Sequence, residues 1–173
     1  PQNPKTPKPL WEITEILKNI FYAQMDEKTK HMMERYQLYS STPDADGILF
    51  TAGTAQGIAY ERDIESKRED RLFNDHLAHL FVGERGAELS EFFNISLGHH
   101  FKVDNFHMIW TPVRTKYIND TIADWITAKQ GAKVQVTNLG AGVDTRAFWL
   151  DCLKSSEKYV EVDVESINTF KEK

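Results

Sequence analysis

The stretch "VQVTNLGAGVDTRAFWL", residues 134–150, decides the fold. Its apolar start reads as a strand over Lys133–Asn138, its glycines as a turn, and Asp144–Lys154 as a helix. In an open parallel sheet, ligands sit beyond the carboxyl ends of the strands. A turn leaving the first strand needs small residues so that a ligand can approach the backbone, and Gly140-Ala141-Gly142 supplies them. The helix that follows is expected to add free N–H groups and a positive dipole end.

Working outward, "YVEVD" at 159–163 reads as a second strand that ends on Asp163, 23 residues after Gly140. A carboxylate there can accept hydrogen bonds from both hydroxyls of a ribose. Strand, small-residue turn, helix, strand and terminal acid together describe a nucleoside-binding βαβ unit. A purely structural βαβ with an exposed Asp is the competing reading. A dinucleotide turn wants a third glycine three residues after the second, and that place holds Thr145. S-adenosylmethionine has no pyrophosphate to cradle. It needs space for a methionine moiety, an acid for its ribose and a cation for its carboxylate. Arg114 in "VRTKYIND" and Arg62 in "AYERDIES" offer the bidentate fork that suits a carboxylate, with a surface salt bridge as the alternative for each.

Upstream the chain is helical in character. Residues 1–9 hold four prolines and read as an extended arm. Residues 10–39 read as a helix with an apolar stripe through Leu10, Ile13, Leu17, Ile20 and Phe21, continued by Met32, Met33, Tyr36 and Tyr39. A loop is predicted at 40–47, helices at 51–70, 71–86 and 87–97, and irregular chain at 98–111. A stronger helix is predicted at 113–131, with Ile118, Ile122, Trp125 and Ile126 buried and Gly131 as a left-handed cap. After the second strand, 164–173 begins another helix.

The bulk numbers narrow the class. The chain has 173 residues, 40% of them hydrophobic and 27% charged, which is ordinary for a soluble globular domain with a core. A net charge of −5 argues against an electrostatic grip on nucleic acid or anionic lipid. With one cysteine, Cys152, no internal disulfide forms, and a reducing compartment fits. Cys152 is expected on the apolar side of a helix, without a catalytic motif around it. No apolar run approaches the ~20 residues of a membrane span, and no signal peptide is visible. An intracellular location, cytoplasmic or in an organellar lumen or matrix, is therefore expected. The start at Pro1 is expected for a processed or incompletely represented N-terminus. The six histidines show no metal-ligand spacing and read as solvated.

"TAGTAQGIAYERDIESKREDRLFNDHLA", "VRTKYIND", "VTNLGAGVDTRAFWL" and "YVEVDVESINTFKEK" occur here in one order. Together they resemble the leucine carboxyl methyltransferase family of S-adenosylmethionine-dependent enzymes, over roughly residues 48–173. The resemblance implies an α/β class I methyltransferase (Rossmann-like) fold with a helical N-terminal part. It implies a methionine moiety along Gly140, Ala141 and Gly142, a ribose on Asp163, a methionine carboxylate on Arg114, and an assisting role for Arg62. It implies O- or carboxyl-methyl transfer, and a carboxylate acceptor needs no general base. One departure is Asp75-His76, where the family reads Asp-Pro.

Three segments follow from this reading: a proline-rich arm and helix at 1–47, a helical part at 48–131, and the start of a cofactor-binding domain at 132–173. Such a sheet has about seven strands in the resembled fold and this chain reaches two, so truncation after the second strand is expected. With it comes a protein partner or second polypeptide that completes the sheet. A non-catalytic docking subunit is the main alternative function, and a nicotinamide-dependent enzyme the weaker one.

Overall fold

The computed structural model describes residues 26–41, 50–129 and 131–172. The predicted arm at 1–9, the first part of the 10–39 helix and the loop core at 42–47 lie outside the described residues. The described elements are α1 (Glu27–Ser41), α2 (Phe50–Ser66), a 3-10 turn (Ala78–Phe81), α3 (Gly86–Phe101), α4 (Phe106–Ala128), β1 (Gln135–Leu139), α5 (Arg146–Trp149), α6 (Asp151–Lys154), β2 (Lys158–Val162) and α7 (Glu165–Lys171). The class is α/β with a helical majority. Among the described residues the sheet has two parallel strands, with Gln135 opposite Lys158 and Leu139 opposite Val162.

Helix α2 is the hub. Its glycines, which weaken an isolated helix, let α3 come close: a Cβ at Gly57 would lie 3.1 Å from Leu89 Cβ. Leu89 is buried in this contact, and Ala59 of α2 is fully buried as well. Helix α2 also buries polar residues, among them Glu61, Arg62 and Glu65. Each has a polar partner outside α2, Glu65 in the irregular chain that follows and the other two on more distant segments, so burial without loss of hydrogen bonding is possible.

The predicted helix at 71–86 is not formed beyond the 3-10 turn at Ala78–Phe81. Side chains of α2 hold this segment instead: Leu72 N–H donates to Glu65 Oε1 (2.7 Å) and Asp75 N–H to Ser66 Oγ (2.8 Å). The irregular chain expected at 98–111 is instead the end of α3 and the start of α4, with a break at Lys102–Asn105. Lys102 and Asn105 both adopt left-handed backbone, at φ 55° and 52°, and make the corner. Pro112 lies inside α4 rather than before it.

The buried face of α4 also differs from expectation. It consists of His107, Thr111, Pro112, Thr115 and Asn119, whereas Trp125 is 52% exposed. His107, read as solvated, is buried: its Nδ1 lies 2.7 and 2.6 Å from the two carboxylate oxygens of Glu61, which also accepts the Ser90 hydroxyl at 2.7 Å. The single helix expected at Asp144–Lys154 is two four-residue helices that meet at Leu150, which has extended backbone. Cys152 is half-buried in α6, and burial pushes its thiol pKa up, away from the thiolate. Gly131, at φ +82°, sits just past the end of α4, as expected of a left-handed residue there.

Candidate functional site

Strand β1 delivers Leu139 to a turn whose two glycines are both left-handed, Gly140 at φ +64° and Gly142 at φ +53°. They do different things. A Cβ at Gly140 would meet no atom within 4 Å, so the turn is open there. A Cβ at Gly142 would lie 3.2 Å from Ala55 Cβ, so this glycine lets α2 approach the turn. The two strands are fastened at this end: Gly140 N–H and Ala141 N–H both donate to Val162 C=O, at 2.8 and 3.3 Å.

The open side of Gly140 faces a cleft of about 640 Å³. The six residues singled out in the sequence, Arg62, Arg114, Gly140, Ala141, Gly142 and Asp163, all line it, brought together from α2, α4, the turn and the end of β2. Thr54, Ala55 and Ile58 of α2 and Thr115 and Ile118 of α4 form the opposing wall. The dipole of the following helix contributes little here, because α5 has only four residues and the Arg146 N–H is already given to Asp144 Oδ1 at 2.8 Å.

Asp163 is half-buried. Its Oδ2 accepts Gly142 N–H and its Oδ1 accepts Val164 N–H, each at 2.7 Å. A carboxylate has about four acceptor positions, so each oxygen keeps one for a further donor.

The two arginines differ. Arg62 is 5% exposed, and its Nη2 donates to Val143 C=O at 2.7 Å. Its Nε lies 3.1 Å from Asp75 Oδ2, at ion-pair distance but without the alignment of a hydrogen bond. Burial lowers the pKa of Arg62, while the Asp75 and Asp144 carboxylates act to raise it. Arg114 is exposed on the cleft wall and makes no hydrogen bond or ion pair with a described residue. Its charge is near enough to Arg62 to lower the pKa of the latter.

Sequence reasoning missed a second set of polar residues. Asp144 pairs with Arg146 Nη1 and accepts from Asn138 Nδ2 at 3.1 Å. Arg146 Nε donates to Asn119 Oδ1 at 2.6 Å, and Asn138 Nδ2 also reaches the Tyr159 hydroxyl at 3.1 Å. Asp144, Arg146 and Asn138 line the cleft. The signal for them was the run Asp144-Thr145-Arg146 one residue after the glycines, where three polar residues open what reads as a helix.

A second concavity, of about 1110 Å³, lies between α1, α2, α3 and the α3–α4 corner, lined by Lys28, Tyr60, Asn94, Lys102 and Asn105 among others. It holds none of the six predicted residues. Among the described residues no cluster of His, Cys, Asp and Glu could hold a metal ion, and no helix is long and apolar enough to cross a membrane.

A parallel strand pair, an open glycine turn, an acid closing the second strand and an arginine on the same cleft form a βαβ unit set against a helical layer. The leucine carboxyl methyltransferase family model matches residues 55–173, and the chain belongs to that family. It is 34% identical over 119 residues to a Parafrankia sp. (strain EAN1pec) protein that carries a provisional name as an S-adenosyl-L-methionine-dependent methyltransferase, covering 69% of this chain and 37% of that relative. A similarly named protein of Frankia alni is 32% identical over 131 residues, 74% of this chain and 44% of the relative. Another, from Mycolicibacterium smegmatis, is 34% identical over 119 residues, 64% of this chain and 36% of the relative. The chain thus spans about two fifths of the length of these relatives. No solved structure matches it.

Proposed function

We propose that the cleft binds S-adenosyl-L-methionine and that this segment is the cofactor-binding half of an enzyme that methylates an oxygen, such as a carboxylate. The observation that carries the reading is Asp163: a carboxylate with free acceptor positions at the end of β2, beside the open Gly140 and across the cleft from Arg114. The names of the relatives support it.

Asp163 would hold the ribose hydroxyls, the open turn at Gly140–Gly142 would accommodate the methionine moiety, and Arg114 would take its carboxylate. Arg62 would assist from behind, by holding the Val143 carbonyl and adding positive charge to the wall. The bound cofactor supplies an electrophilic methyl carbon. A carboxylate acceptor would take that methyl group directly, its oxygen bonding to the carbon as the carbon–sulfur bond broke with its electron pair left on sulfur. No proton moves, so the chain's contribution is orientation and exclusion of water. Acceptor recognition, and cover for the exposed strand residues Leu139 (74%) and Val162 (47%), are assigned to the remainder of the family domain or to a partner chain that supplies it.

Calorimetric titration of S-adenosylmethionine and its demethylated product into the protein tests this. Both should bind at one site, and Asp163→Ala should weaken both. Equal binding by the two proteins contradicts the ribose assignment. The alternative, a docking subunit without catalysis, draws on the exposed apolar residues Ile109, Trp110, Val113 and Tyr117 along α4. It predicts that neither ligand binds and that the protein is recovered in a larger assembly.

A further inference from the structure

The four residues after the glycines are each tied to a different part of the molecule. Val143 C=O is held by Arg62 of α2, Asp144 by Asn138 of β1, and Arg146 by Asn119 of α4. Thr145 is tied to Asp75, in the irregular chain between α2 and the 3-10 turn. The cofactor reading gives Thr145 and Asp75 no role: neither lines the cleft, and they are 0% and 1% exposed.

Their contacts form a closed ring. Thr145 Oγ1 lies 2.6 Å from both oxygens of Asp75 and accepts the Trp149 indole N–H at 3.1 Å. With the indole N–H as donor, the hydroxyl proton is free to point at the carboxylate. Asp75 Oδ2 lies 3.1 Å from Arg62 Nε, and Arg62 Nη2 returns to Val143 C=O at 2.7 Å. The ring therefore leaves the chain at residue 143 and rejoins it at residue 145. It fixes the two peptide units between them, and with them the direction in which Gly142 and Asp144 enter the cleft. A second contact braces it, since Phe73 stacks on Trp149 with ring centroids 6.0 Å apart. The Asp75 backbone is itself anchored, its N–H donating to Ser66 Oγ of α2 at 2.8 Å.

We infer that Thr145 and Asp75 are positioning residues for the cofactor turn: without touching ligand, they hold the backbone after Gly142 in the conformation that Gly140, Gly142 and Asp163 need to meet it. The inference rests on the S-adenosylmethionine reading of the cleft. A merely structural pair would lower stability and leave the affinity of the folded protein alone. A positioning pair changes affinity and local order at the turn together.

The test uses Thr145→Val, which keeps shape and removes the hydroxyl, Thr145→Ser, which keeps the hydroxyl, and Asp75→Asn, which keeps size and removes the charge that faces Arg62. Two quantities are read in the full-length protein, well below each variant's unfolding temperature. One is the dissociation constant for S-adenosylhomocysteine. The other is amide hydrogen exchange of the 139–146 peptide without ligand. Thr145→Val should raise the dissociation constant on the order of tenfold or more, as expected for a lost hydrogen bond to a buried charge. It should also speed exchange at the turn, and Thr145→Ser should restore both. Should Thr145→Val fail to fold, Asp75→Asn carries the test, with the same expected direction in both quantities. Ligand binding in the wild type with unchanged affinity and exchange in the variants overturns this inference alone. Absence of binding in the wild type overturns the cofactor reading, and this inference with it.

Discussion

Arg114 and Arg62 both line the cleft, but among the described residues only Arg62 has other polar partners. The two should therefore separate by what they change. Arg114→Ala should weaken S-adenosylmethionine binding by on the order of 1.5–3 kcal/mol, the worth of a hydrogen-bonded contact to a charged group, and leave thermal stability alone. Arg62→Ala strands the buried Asp75 carboxylate and frees Val143 C=O. Breaking a buried ion pair costs about 3–5 kcal/mol of stability, so this variant should unfold early. Among protein that remains folded, its loss of affinity should be the smaller of the two. Parallel titration and melting of both variants decides, and an Arg114 variant that binds like wild type counts against its assignment. Tyr159 gives a pH signature at the same scale. Burial pushes its phenol up from 10.0 to about 12. The raised value means that the neutral phenol is favoured in the folded protein. Its contribution to stability is fully present below pH 10 and is lost as pH rises through about 12. Tyr159→Phe should flatten the fall in stability over that alkaline window, and an unchanged profile would contradict the assignment.

The elements were legible where local chemistry alone decided them. Both strands fall within two residues of their expected limits, because short apolar runs next to turn residues have few alternatives. The expected helix at 71–86 gives way to chain held by contacts from other segments, Leu72 N–H to Glu65, Asp75 N–H to Ser66 and the Asp75 carboxylate to Thr145, which periodicity does not show. The unexpected start of α4 at Phe106 is the reverse case. His107, Thr111 and Thr115 give it no apolar stripe, and Pro112 reads as a stop. What holds that turn is a polar contact across elements, Glu61 with His107 and Ser90, which periodicity cannot show. The contact is testable. Glu61→Ala leaves the His107 Nδ1–H and the Ser90 hydroxyl without their acceptor, and should destabilise the protein by on the order of 3 kcal/mol. A double-mutant cycle with His107→Ala in urea should show a coupling of about 0.5–3 kcal/mol, the range for side chains in contact. Strict additivity would show that the pair does not hold α2 to α4.

At the scale of the whole molecule, the candidate site was more legible than the fold around it. Acid, glycines and arginines are residue types whose chemistry can be read singly, and the structure brings all six to one cleft. The network behind them, Asp75 through Thr145 and Arg146 through Asn119, joins positions 70 and 27 residues apart in sequence, and only the packing of α2 and α4 on the turn reveals it. The helical layer is thus part of the site: it supplies one wall and holds the turn. Since the chain covers about two fifths of its relatives, the segment by itself should bind cofactor without transferring its methyl group, and the family-length protein should do both. Incubating each with S-adenosylmethionine labelled at the methyl group and following release of the label checks this, and turnover by the segment alone would contradict it. One cleft should hold the cofactor. The most direct measurement is a nitrogen-15 amide titration of the protein with S-adenosylhomocysteine. Shifts are expected at Gly140, Ala141, Gly142 and Val164, with the α4 amides around Arg114 moving and those facing the groove at Ser90, Asn94 and Lys102 still. Shifts confined to that second groove, or none at millimolar ligand, would contradict it.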